Sequence, residues 1–189
     1  MKKILPLFSL LISLSLTAQD KKEKKAVQIF SSERTINANT TELVGKGKMN
    51  FIVVHNFDDI GGSRGGIRNF FGLDNTADVR IGFQAGLGHN LDVSLARAKA
   101  AGNVSRIVEL GLKYRFLQQT EDNSVPLSLA VFMNNAISTM PASDSPLDEN
   151  YFQNLGDRST QVIQLIAAKK IGKVSIQLNP TFLNQGYVV

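Results

Sequence analysis

Two histidines are the only imidazoles in the chain, and their neighbours bound the acid–base and metal chemistry on offer. His55 precedes the pair Asp58-Asp59, and imidazole with carboxylates is an adequate donor set for a borderline metal ion or a general base. The spacing matches no ligand signature, and Asp58-Asp59 opens a glycine-rich stretch where aspartate favours a turn, so a structural role is expected. His89 sits in Gly88-His89-Asn90, a turn by composition. Gly61-Gly62-Ser63-Arg64-Gly65-Gly66 superficially resembles a phosphate cradle but lacks the Gly-Lys-Ser/Thr at a helix mouth that such a loop needs. It reads as a loop. Asp74 and Asp78 flank the start of a candidate strand, and a rim calcium there is not expected. With both histidines placed in a strand end and a turn, no nucleophile has a positioned base. The expectation is no catalytic residue, no metal site, no cofactor and no enzymatic activity.

One set of charges has a pattern: Asp78, Arg80, Glu109, Lys113 and Arg115 fall on one parity of two alternating segments. On a barrel wall they would line the lumen and bias the passage of ions or small solutes. Alternatively they pair across the wall and fill a closed interior, as in small barrels. No long run of one sign appears, which favours the closed interior.

The elements that would position these charges have a period of two. Met49, Phe51, Val53 and Phe57 share one parity, with Asn50 and Asn56 between them. Val79, Ile81 and Phe83 alternate with Asp78, Arg80, Gly82 and Gln84; Leu91, Val93 and Leu95 alternate with Asp92, Ser94 and Ala96. The clearest segment sets Val108, Leu110, Leu112, Tyr114 and Phe116 against Glu109, Gly111, Lys113 and Arg115. Leu127, Leu129, Val131 and Met133 follow, then a mixed segment over residues 160–169, then Val174, Ile176 and Leu178. These seven candidate strands of roughly 8–11 residues suit tilted strands crossing a bilayer.

Connection lengths alternate as in outer-membrane barrels, whose periplasmic turns are short and whose outer loops are longer. With the N-terminus periplasmic, the long connections at residues 58–76 and 135–159 share the outer side. The tight ones at residues 86–90 and 170–172 share the inner side, where glycine or asparagine supplies positive φ. Phe57, Phe70, Phe71, Tyr114 and Phe116 lie near strand ends, as an interfacial aromatic girdle requires.

Residues 1–18 read as a secretory signal peptide: Lys2 and Lys3 precede a short apolar stretch, Thr17-Ala18 gives a small-residue exit, and charge begins at Asp20. The apolar stretch is shorter than the roughly 20 residues of a spanning helix. Without cysteine there is no lipid attachment site, disulfide or thiolate metal site. The formal charge of +5 falls to +3 without the signal's two lysines, 19 basic against 16 acidic residues. Four further lysines crowd residues 20–25, so the basic balance does not imply nucleic acid as a partner.

The fold class expected is all-β, an antiparallel up-and-down transmembrane barrel, incomplete with about 7–8 strands present. Residues 1–18 are the signal, 19–47 a periplasmic N-terminal segment or linker, and 48–189 the barrel domain. Seven is odd, whereas bacterial single-chain barrels are even. Either residues 27–36 supply an eighth strand or the barrel is truncated at the C-terminus; truncation is favoured, with residues 181–189 leading toward strands that are absent. The expected location is the outer membrane of a Gram-negative cell, with outer-membrane lipid and the barrel-assembly machinery as partners and a porin-like or structural role. The solute is not specified. A soluble lipocalin-like barrel binding an apolar ligand is the alternative, and it would turn the Leu110 row inward. On the membrane reading, Leu110→Arg should block assembly and Gly111→Arg should be better tolerated.

The stretch Asn69-Phe70-Phe71-Gly72-Leu73-Asp74-Asn75-Thr76-Ala77-Asp78-Val79-Arg80-Ile81-Gly82 resembles the uncharacterised β-barrel proteins of two-membrane bacteria grouped as a domain of unknown function. These carry a His-Arg-Phe-like segment followed by Phe-Phe-Gly-Leu-Asp; here the earlier segment stands as His55-Asn56-Phe57, with asparagine in place of the basic residue. The similarity covers about residues 28–130, including 91–99 and 111–116. It implies a signal peptide and an outer-membrane barrel, and supplies no catalytic residues.

Overall fold

The structure, a computed structural model, describes residues 25–57, 60–62, 66–72, 76–99 and 105–186. Its elements in chain order are β1 (Arg34–Thr35), β2 (Ala38–Asn39), β3 (Met49–Phe57), a 3-10 turn at Ile67–Gly72, β4 (Thr76–Gly88), β5 (Leu91–Lys99), β6 (Arg106–Leu117), β7 (Ser128–Ser138), β8 (Ser159–Ile171), β9 (Val174–Leu178) and β10 (Thr181–Gln185). From β3 to β8 each strand pairs antiparallel with the next, a meander curled into a half-barrel. The all-β, antiparallel class is as the alternation requires.

β9 and β10 both pair with the same edge of β8, the first against residues 167–171 and the second against residues 160–164. They act as one wall position interrupted at Asn179-Pro180. Proline has no N–H for the ladder; its carbonyl instead accepts from the Leu165 N–H at 3.1 Å. The described wall therefore has seven positions, with β3 and the β9–β10 line as its edges. Residues 181–185, expected only to lead onward, thus belong to the wall. Residues 27–36 do not form an eighth wall strand.

Register explains the facing. Met49, Ala85, Val93, Leu112, Met133, Ile163 and Phe182 follow one another as successive cross-strand partners, an unbroken nonpolar row across the sheet. One row along, Phe51, Phe83, Leu95 and Leu110 do the same, and the Phe51 and Phe83 rings sit 5.1 Å apart. These side chains point away from the chain's interior: Phe51, Phe83, Leu95 and Leu110 are all exposed, Leu110 at 52%. Ala96, Ala130, Ile166 and Ala168, of the opposite parity, are buried.

Turn chemistry matches the short connections. Between β4 and β5, His89 and Asn90 have φ of 51° and 61°, the pair of left-handed residues of a two-residue hairpin whose twist suits the strands. Gly172, at φ 58°, opens the β8–β9 turn. β7 runs to Ser138, so the connection expected from residue 135 starts later. Thr139 N–H bonding to the Arg106 carbonyl at 2.7 Å ties its start to the β6 end.

Candidate functional site: a polar interior covered by the N-terminal segment

Arg80, Glu109, Lys113 and Arg115 lie on the inner parity of β4 and β6, where alternation puts them. Arg80 Nε donates to Glu109 Oε2 at 2.8 Å. That pair spans β5, whose residues between them, Ala96 and Ala98, are small enough for a long side chain to pass over. Asp78 stands half-buried near the start of β4, opposite Asn56. The set is therefore divided: one internal ion pair, Asp78 at the strand end, and Lys113 and Arg115 turned to other partners.

Those partners come from residues 25–48, nearly all in the stretch 19–47 expected as a linker, which run along the polar face of the sheet. Lys113 Nζ donates to the backbone carbonyls of Glu42 (2.6 Å), Glu33 (3.3 Å) and Thr40 (3.4 Å). Lys113 is 2% exposed, and Asp92, its cross-strand partner on β5, is also 2% exposed. Asp92 Oδ2 accepts from the Val44 N–H and from Gln84 Nε2, both at 3.0 Å. Arg115 Nη1 lies 3.8 Å from Glu42 Oε2. On the far side, Ser175 Oγ donates to the Ile29 carbonyl at 2.8 Å, and Gln177 and Asn179 donate to the Asn39 carbonyl at 2.8 and 2.9 Å. The segment bonds to β5, β6 and β9 and covers what would otherwise be the lumen wall. Thr40 and Thr41 in its middle are 0% and 1% exposed.

Close approach at the segment's end depends on a missing side chain. Gly47 N–H donates to the Gly86 carbonyl at 2.9 Å and Gly86 N–H to the Lys48 carbonyl at 3.0 Å. A Cβ at Gly86 would lie 2.1 Å from the Gly45 carbonyl oxygen, which is backbone and has little room to yield. Gly86→Ala is accordingly expected to lift residues 45–48 off β4, costing about 1–3 kcal/mol as overpacking does. Limited proteolysis should then cut residues 25–48 several times faster than in the wild type; an unchanged rate would show that the contact does not hold the segment.

Gly111 stands beside Leu110 in β6 with the opposite facing. It faces inward, but a Cβ there would lie 2.3 Å from Ser94 Oγ and 3.4 Å from the Phe132 ring. Its cross-strand neighbours Ser94 and Asn134 both border the space between the wall and residues 25–48, so a longer side chain here requires the Ser94 hydroxyl to turn aside.

His55 lies on the exposed outer parity of β3, its ring 4.9 Å from that of Phe57, and His89 is in the β4–β5 turn. Asp58, Asp59, Ser63, Arg64, Gly65 and Asp74 lie outside the described residues. Among the described residues no group of three metal-ligating side chains converges. Sequence alternation flagged Asp92 as polar but gave it no role; Arg34, Glu33 and Glu42 carry no periodic signal and were missed.

A half-barrel with a nonpolar outer band and a charged, covered inner face is the architecture of a membrane β-barrel protein. The chain belongs to the family described as a membrane-bound beta barrel domain (DUF5777), which matches residues 30–189. The match includes most of the segment that covers the inner face, so the covering belongs to the domain. No curated protein and no solved structure matches the chain.

Proposed function

We propose that this chain is an exported outer-membrane barrel of a two-membrane bacterium, with a closed interior, a structural or tightly gated passive-transport role and no catalysis. The observation that carries the reading is the covering of the polar face by residues 25–48 through buried bonds to Lys113 and Asp92. An open diffusion pore would leave those groups to water. The exposed nonpolar row argues against the lipocalin-like alternative, which needs that row inside. Lys2, Lys3 and the apolar run after them support export, which would deliver the chain to the barrel-assembly machinery and outer-membrane lipid. Hydrocarbon tolerates no open sheet edge, because each unpaired backbone group costs several kcal/mol. In the membrane, β3 and the β9–β10 line are therefore paired, with one another or with additional strands.

Cell fractionation with a heat-modifiability gel, followed by planar-bilayer recording of the purified protein, tests both halves. A heat-modifiable membrane protein with little steady conductance is expected. Recovery from the periplasm without detergent would end the membrane reading. Persistent ohmic conductance in the wild type would end the closed-interior reading.

A further inference from the structure

Between the covering segment and the wall lies a partly open cavity of about 210 Å³, bounded by Arg34 and Asn39 of the segment and by residues of β4 to β7 that include Arg80, Lys113, Ser94 and Asn134. Three cations and two carboxylates, Asp92 and Glu109, border it. Most of this charge is committed. Arg80 Nε is spent on Glu109, and Lys113 donates to three carbonyls. Asp92 Oδ2 already accepts two hydrogen bonds.

Arg34 is the exception. Its Nε is buried without a hydrogen-bond partner among the described residues, and Arg80 as well as Glu109 lies within its electrostatic reach. A desolvated guanidinium N–H with no acceptor is costly, and it sits in a cavity with one more cation than anion. Guanidinium presents its donors as a planar fork, which matches the paired oxygens of a carboxylate or phosphate. The hydroxyl of Ser94 and the amide of Asn134 supply neutral donors on the facing wall. The volume exceeds that of a few water molecules, enough for an oxyanion group with part of its hydration.

We propose that this cavity is a binding site for a small oxyanion, a carboxylate or phosphate group held chiefly by Arg34 against the β4–β7 wall. Arg34 belongs to the covering segment and the remaining donors to the barrel, so the bound anion bridges the two. Occupancy therefore favours the covered state over any state in which residues 25–48 leave the wall. The site is independent of where the chain resides and of whether it conducts.

The test is a titration of the refolded full chain in detergent with inorganic phosphate and, separately, with acetate, followed by ³¹P and ¹³C line broadening. Saturable binding of at least one probe is expected, and the stronger probe tells whether phosphate or carboxylate is preferred. Arg34→Gln should weaken it roughly tenfold or more, the scale of one charge-assisted hydrogen bond. Arg34→Lys, which keeps charge but not the fork, should fall between. Arg97→Gln removes an exposed arginine on the outer face of β5 and should bind as the wild type does. Heat-modifiability of each variant checks folding. Absence of saturable binding by either probe, or equal affinity in folded wild type and folded Arg34→Gln, overturns the site.

Discussion

Leu110→Arg is expected to abolish assembly of the protein into membranes, leaving it unfolded or degraded where the wild type is heat-modifiable. Leu110 is half exposed, follows Leu95 in the outer row, and lies two residues from Leu112 in the row that stays nonpolar across all seven wall positions. An arginine on the lipid face near the bilayer midplane costs about 2–4 kcal/mol. That is a large share of the 5–15 kcal/mol by which a folded domain typically exceeds its unfolded state. The inward control is Asn134→Gln, because Asn134 borders the cavity and a longer neutral amide has somewhere to go. Asn134→Gln should assemble at near wild-type yield. Wild-type yield of folded Leu110→Arg would mean that this row does not face hydrocarbon.

How much of this was legible in the sequence divides along a physical line. Strands are local: a parity rule and a turn residue suffice, so six wall strands and the two tightest turns fell close to where alternation put them. Facing followed too, since Val108 to Phe116 can turn only one way once Glu109, Lys113 and Arg115 turn the other. What the pattern could not carry was anything non-local. Residues 25–48 have almost no ladder of their own beyond the two-residue strands β1 and β2; they are held by backbone carbonyls that accept from Lys113, Gln177 and Asn179. A carbonyl acceptor leaves no trace in residue type. The same holds for Arg34, whose significance lies in the missing partner of its Nε and not in its neighbours along the chain. β10 escaped because Pro180 interrupts the strand and the adjacent nonpolar residues Phe182 and Leu183 break the alternation.

Lys113→Met should loosen the covering segment more than any other single change on the inner face. Methionine keeps the volume of the stem and removes the ammonium, so packing is not the variable. Three carbonyls, of Glu33, Thr40 and Glu42, lose their donor at once. Asp92, buried and directly across the strand pair, is left without the opposite charge of its neighbour. Leaving a buried acceptor without its donor typically costs about 1–3 kcal/mol, and Asp92 feels the ammonium across the strand pair although the two make no direct ion pair. Lys113→Met is therefore expected to lower the urea midpoint in detergent micelles and to expose residues 25–48 to protease. Asp92→Asn in the same background should recover part of the loss, since the amide removes the stranded charge while its oxygen still accepts from the Val44 N–H. The double-mutant cycle then reads the coupling between the two groups. Additive effects, or a Lys113→Met protein with wild-type midpoint and cleavage rate, would show that the segment is held by its other contacts, those to Ser175, Gln177, Asn179 and Gly86.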